Sequence, residues 1–436
     1  MMHRMLSAPS RVRRGMIAAF VAVMLTVLVG VAALAVDGGL LQDNRRRVQA
    51  GADAAALAAA SVLFQNYRTL TVLQPDPGSK AADAARDVAK RNGYPNDHIT
   101  ADVTVNIPPK TGPFTGKLAY VEVVVTYYQT RYFSAIWGTS KVPVSARAVG
   151  YGYSGGSGIG ILVLDPTAKD SLDASGGGSL KVTGGARVIV DSNNAEAGRV
   201  TGGGSATASR FDIVGNYSGL FTGTVTTGVE PVPDPLAYLV APAVPPDGIM
   251  TTTNLLKGNK LYTLTPGRYT NLPTFNQGDE VILKQASYDT RGGIYYIDGG
   301  GFNSTGASIT MDPLTSGGVM IYNHATSNAN NQGVQITGSS LGTVNVTALT
   351  SGPYAGILIW QDRTSTANMN IAGQGVFTLK GTFYTADSLL TVSGNGLTTV
   401  GSQYISKTLN ISGSGGVNID YTPDGTARQR IIRLVE

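Results

Sequence analysis

Residues 371–419 read IAGQGVFTLKGTFYTADSLLTVSGNGLTTVGSQYISKTLNISGSGGVNI, and one motif occurs in them three times. An apolar residue, a small residue and Gly-x-Gly lead into a short strand: IAGQGVFTL from Ile371, VSGNGLTTV from Val392 and ISGSGGVNI from Ile411. The copies are offset by 21 and 19 residues, and Gly373, Gly394 and Gly413 hold the same place in each. A strand-and-turn unit this short cannot bury its own apolar face, so each copy must stack on the next. VTGG at Val182 recurs at Val200, and ITGSS at Ile336 is a looser copy. From about Tyr151 onward Gly, Ser, Thr and Asn separate short apolar strands. This pattern predicts a right-handed parallel β-helix over 151–436. Val, Ile and Leu point inward, Thr, Ser and Asn outward, and Gly occupies turns of positive φ. A β-sandwich would need Asn-Gly or Asp-Gly turns about every 8–12 residues. Asn395-Gly396 and Asp298-Gly299 do not recur on that spacing.

One stretch cannot form stacked strands. Residues 230–248, EPVPDPLAYLVAPAVPPDG, are rich in proline, which removes ladder donors. Either a loop lying across the solenoid or a linker between two blocks fits. The apolar Leu236, Tyr238, Leu239 and Val240 favour a packed crossover.

At the other end, Met16–Val36 reads MIAAFVAVMLTVLVGVAALAV, 21 residues without a charge. At about 1.5 Å per residue it spans roughly 31 Å, the hydrocarbon thickness of a bilayer. Arg4, Arg11, Arg13 and Arg14 precede it, which keeps the N-terminus cytoplasmic; Arg45, Arg46 and Arg47 on the far side weaken that bias. A cleaved signal peptide is the competing reading, since Ala33-Leu34-Ala35 fits a cleavage site, but the apolar run is longer than a usual h-region. Both readings put the body outside the cytoplasm.

Beyond the apolar run, LLQDNRRRVQAGADAAALAAASVLFQ continues as helix, being rich in Ala and Leu and free of Pro. A second helix is expected over Ser79–Asn92, with Ala81, Ala84, Ala85 and Val88 on one face and Gly93 as its stop. Three alternating strands follow, carried by Ile99 to Ile107, by Val121, Val123 and Val125, and by Val142 to Ala148. Residues 1–150 thus form an anchor and a small α+β module, 151–436 the solenoid, and the chain is mainly β.

The segment RRGMIAAFVAVMLTVLVGVAALAVDGGLLQDNRRRVQAGADAAALAAA resembles the N-terminus of TadG-like proteins of tight-adherence (Flp-type) pilus systems. Arg13-Arg14-Gly15, Ala35-Val36-Asp37-Gly38 and Val48-Gln49 leading into Ala52–Ala58 carry the likeness. The later YFSAIWGTSKVPVSARAVG looks like the strand that closes the pilin-like module in that family. The resemblance implies a bacterial envelope protein, anchored in the inner membrane, that works with other pilus or envelope proteins. Phe20 stands where prepilin processing needs Glu, so processing is not implied. Asp173-Ala174-Ser175-Gly176-Gly177 lacks the second Ser of the von Willebrand A-type metal motif, so that site is not carried over.

Composition excludes other chemistry. The chain has no Cys and only His3, His98 and His324, which removes thiolate sites and multi-histidine metal centres. A net charge of +5 with no basic, aromatic-interleaved stripe argues against nucleic acid. Glycoside hydrolysis on a solenoid needs two carboxylates on one face of neighbouring coils. Asp298 and Asp312 are 14 residues apart, His324 has no acidic neighbour in sequence, and Asp362-Arg363 reads as a strand-end turn with a local ion pair. No catalytic, metal or cofactor residue is expected. The expected role is structural or adhesive, with surface carbohydrate as one partner class. The alternatives are a tethered carbohydrate-active enzyme and a secreted adhesin released by signal peptidase.

Overall fold

The computed structural model describes residues 14–65, 70–133, 135, 138–286, 292–327, 332–374, 376–394, 398–414 and 416–436. Arg4, Arg11 and Arg13 and the Asn395-Gly396 turn lie outside the described residues. The chain divides into two compact units. The first is Met1–Ser154 with Ile431–Glu436, and the second is Gly155–Arg430.

The first unit is built on α1 (Arg14–Gln65), one helix of 52 residues. Its N-terminal half exposes an apolar surface. From Val48 onward, Ala52, Ala55, Ala56, Ala59, Ala60 and Leu63 are buried at helical spacing. They pack with α2 (Lys80–Arg91), which buries Ala81, Ala85 and Ala89, and with a four-stranded sheet. Ala84 and Val88 are only half-buried. The Ser79 side chain does not cap α2. The Asp76 carboxylate does so instead, accepting from the N–H groups of Ala81 and Ala82, each at 2.9 Å.

The sheet runs β1 (Ala101–Asn106), β2 (Tyr120–Gln129), β3 (Val142–Gly155), then the last strand of the chain, Gln429–Leu434. The β1–β2 and β2–β3 pairs are antiparallel. Ile99 lies before β1 and is exposed. The last strand is a departure from expectation, because its residues were read as solenoid. Instead, the N–H of Val149 donates to Glu436 O and that of Val435 to Val149 O, each at 2.9 Å. QRIIRL lacks even a clean alternation, so nothing local marks its return to the first unit.

The second unit holds 26 described strands in one hydrogen-bonded set, almost all paired in parallel. The pairs form three ladders. The first runs through Gly267–Tyr269, Ile294–Asp298, Met320–His324 and Ile357–Gln361, then the leading parts of Thr382–Gly394 and Gln403–Ser412. The next strand is not a later one but Ile159–Val163, in register Tyr404↔Ile161, and after it Arg187–Val190 and the end of Ser205–Ile213. The other two ladders make the same splice, at Leu409↔Leu172 and Val417↔Leu180. The chain therefore enters this stack in its middle and builds to one end. It returns through 228–248 to the far end and climbs back to the point of entry.

The return is made by the proline-rich segment, as a packed crossover. Leu236 and Leu239 are buried, Tyr238 is partly buried and Val240 is exposed. The Val232 N–H donates to Asp191 Oδ1 at 2.9 Å, and the Gly248 N–H to Arg268 O at 2.9 Å. Between those anchors the ladder covers about 34 Å at roughly 4.8 Å per strand. Seventeen residues of extended chain bridge that with ease at about 3.3 Å each.

Inside the stack, Tyr295, Ile321, Ile359, Phe383, Tyr404, Ile161, Val188 and Phe211 follow one another in register and are all buried. The expected polar outer face holds for the third ladder, where Lys181, Asn345 and Lys380 are exposed. It fails for the first. There Tyr296, Tyr322, Trp360, Tyr384, Ile405, Leu162 and Ile189 form a second buried cluster beneath Leu236 and Leu239 of the crossover. A parallel strand covered on both faces reads as a continuous apolar run. GILIW (356–360) and GILVL (160–164) are such runs.

Candidate functional site

Two places warrant a functional reading. One is the N-terminal half of α1. Ile17, Phe20, Val23, Leu25, Leu28, Val31 and Leu34 are all exposed. An 18-residue window here reaches a mean hydropathy of 2.8 with none of it buried. Water does not tolerate an unbroken apolar cylinder of this length, so another apolar phase must receive it. A membrane anchor and a signal sequence both have this form.

The other place is a polar row on the outer side of the first ladder. The strands set Asp298 opposite His324, and His324 is followed one strand on by the turn of Asp362. His324 Nδ1 lies 2.8 Å from Asp298 Oδ1, and Arg268 Nε donates to Asp298 Oδ2 at 2.7 Å. His324 thus has an acidic neighbour 26 positions away, invisible to a local scan because loop lengths between strands are unequal. Asp312 does not share this face; it belongs to the third ladder's edge and pairs with Lys284.

The Asp362-Arg363 reading holds in one half only. Asp362 does close a strand-end turn, its Oδ1 accepting from the Thr364 N–H at 2.8 Å. Arg363 makes no pair with it. Its guanidinium instead donates to Leu236 O at 2.6 Å, Leu239 O at 2.9 Å and the Tyr384 hydroxyl at 2.5 Å. It also lies 5.1 Å from the Trp360 ring and 5.2 Å from that of Tyr384. The Tyr384 hydroxyl donates in turn to Asp234 Oδ2 at 2.6 Å. The residue singled out as an ion-pair partner is the clasp of the crossover.

Both carboxylates of the row are committed. Hydrogen bonding to His324 holds Asp298 below the usual carboxylate range despite burial, and Arg268 adds to that. Burial pushes Asp362 up, but hydrogen bonds from Thr364 and Tyr322 outweigh it and leave it lowered. Burial and the Asp362 carboxylate push the Tyr322 hydroxyl up, so it stays a donor. A glycosidic general acid needs a raised pKa, the reverse of what either group has. Asp173, in the sequence nearest to a metal motif, is taken by Arg199 Nε at 3.2 Å. Among the described residues no three His, Asp or Glu side chains gather as a metal site.

Comparison with known proteins touches the first place alone. Residues 15–62 match the family described as "Putative Flp pilus-assembly TadE/G-like", a span that lies wholly within α1. No curated protein and no solved structure matches the chain.

Proposed function

We propose that this chain is a membrane-anchored envelope protein that serves a Flp-type pilus system as a structural or adhesive part, without turnover of its own. The observation that carries this is the coincidence of the family match at 15–62 with the exposed apolar half of α1. Met16–Val36 is the retained anchor, the N-terminus faces the cytoplasm, and the rest of the first unit and the whole second unit lie outside it. The second unit is a right-handed parallel β-helix. Three parallel ladders with a shared inner core support that, and parallel crossover connections are right-handed almost without exception. The lowered carboxylates of the Asp298–His324–Asp362 row support a role without catalysis.

Two experiments test the proposal. The full chain, solubilised in mild detergent from its own cells, should co-purify with other inner-membrane proteins of the pilus machinery. Recovery free of them, with piliation unchanged when the gene is deleted, would contradict it. The same preparation should release no reducing ends from acidic or neutral polysaccharides; release abolished by Asp298→Asn would establish the enzyme reading instead.

A further inference from the structure

We infer that the first unit sits down on the outer surface of its own membrane, where Arg45, Arg46, Tyr132 and Phe133 form a seat for anionic phospholipid headgroups. The inference rests on reading Met16–Val36 as a retained anchor.

The arginines come first. Arg45 and Arg46 lie with Leu41, Gln42 and Gln49 along one side of α1 and line an open groove of about 610 Å³. Its other wall is the start of β3, from Pro143 to Ser145. Arg47 spends its charge on Asp43 at 2.9 Å, whereas no carboxylate among the described residues pairs with Arg45 or Arg46. Two exposed, unneutralised guanidinium groups in a groove of mixed polar and apolar lining suit a phosphodiester.

Tyr132 and Phe133 are the second, independent observation. The Phe133 N–H donates to Asp37 Oδ1 at 3.3 Å, which ties Phe133 to the residue where the apolar run ends. Tyr132 and Phe133 are nevertheless 64% and 52% exposed. Aromatic side chains held in the open at the end of a membrane segment are the signature of the interfacial belt. Arg131 Nε, next to them, donates to Ser140 O at 2.9 Å.

The heights agree. From residue 37 to 46 the helix rises about 14 Å, and the headgroup layer is about 5–8 Å deep on each side. Helical side chains lean toward the helix N-terminus, here toward the bilayer, and an arginine stem adds several ångströms of reach. Ordinary helix tilt lowers the guanidinium groups further. Each basic residue near an anionic surface adds to the attraction. The seat would fix both the depth of α1 and the attitude of the first unit on the membrane.

Because the chain has no cysteine, one introduced thiol can be labelled uniquely. Full-length Phe133→Cys and Leu73→Cys, the latter at a position 93% exposed and beyond the far end of α1, would carry a nitroxide in phosphatidylcholine vesicles with or without phosphatidylglycerol. With phosphatidylglycerol, the label at 133 should be at least fivefold less accessible to a water-soluble nickel relaxant than the label at 73. Omitting the anionic lipid, or adding Arg45→Glu and Arg46→Glu, should remove most of that protection. Equal accessibility at the two positions, or protection indifferent to both changes, would overturn the inference. Carbonate extraction of the same vesicles separates the two failures. A chain that washes off refutes the anchor, and a chain retained with position 133 open to water refutes only the seat.

Discussion

Glu122 lies on β2 with its side chain 1% exposed, a charge that must be compensated where it stands. Asn106 Nδ2 at 2.8 Å, the Lys110 N–H at 3.1 Å, Arg147 Nε at 2.6 Å and the Thr111 hydroxyl all donate to it. Burial pushes its pKa up, but these donors prevail and hold it at about 2 against an ordinary 4.5. A lowered carboxylate stabilises the fold fully above its unfolded value and loses that contribution as pH falls through the folded one. The first unit should therefore weaken between pH 4.5 and 2. In Glu122→Gln, less stable at pH 7, the urea midpoint should change less over that interval. Parallel pH profiles for the two proteins would show that the charge is not what the network holds. Replacing Arg147 by Ala strips a buried charge of its counter-ion and should cost about 3 kcal/mol, read from the same midpoint. Gly152 is set by a different force. A Cβ there would stand 1.9 Å from Ala60 O of α1, so helix and strand touch backbone to backbone. Gly152→Ala should destabilise the first unit by about 2 kcal/mol or more. Unchanged stability would mean that α1 does not lie on β3 as described.

At the scale of elements, the crossover 228–248 is held by its clasp. Arg363→Ala removes three donated bonds and two ring contacts together and should open the segment to protease within 228–248. Asp362→Ala, which loses only a turn cap and the Tyr322 bond, should leave it protected. Cleavage that is the same in both variants would show that the clasp is not what retains it. The helices, the strands around Val123 and Ala146 and the packed crossover were legible from periodicity and from Leu236 and Leu239. Arg363 was not legible as the clasp, because two of its three hydrogen-bond partners are backbone carbonyls more than 120 residues away. The second apolar cluster was legible in principle, since Tyr296, Tyr322, Trp360 and Tyr384 sit in runs apolar at successive positions. Reading those runs as one-sided strands hid it.

On the scale of the whole chain, the repeat at 371–419 announces stacking but says nothing about which strand meets which. Parallel strands of similar composition pair equally well in several orders, and the choice is made by the length of the crossover and the shared core. Gly413, at φ +109 with its ideal Cβ only 2.7 Å from Gly394 O, shows how tightly successive copies meet. A simple N-to-C column would leave residues 403–420 at a free end. In the observed order they are covered by 159–183, so both ends of the second unit emerge beside one seam. The seam is therefore the feature of the second unit most open to refutation. Lys181 and Asn418 face each other across it in parallel register. Lys181→Cys with Asn418→Cys, in a chain otherwise free of cysteine, should crosslink rapidly within one molecule under a short thiol-specific reagent, adjacent strands lying about 4.8 Å apart. No crosslink in the folded protein, with the two positions tens of ångströms apart as a sequential column requires, would contradict the account.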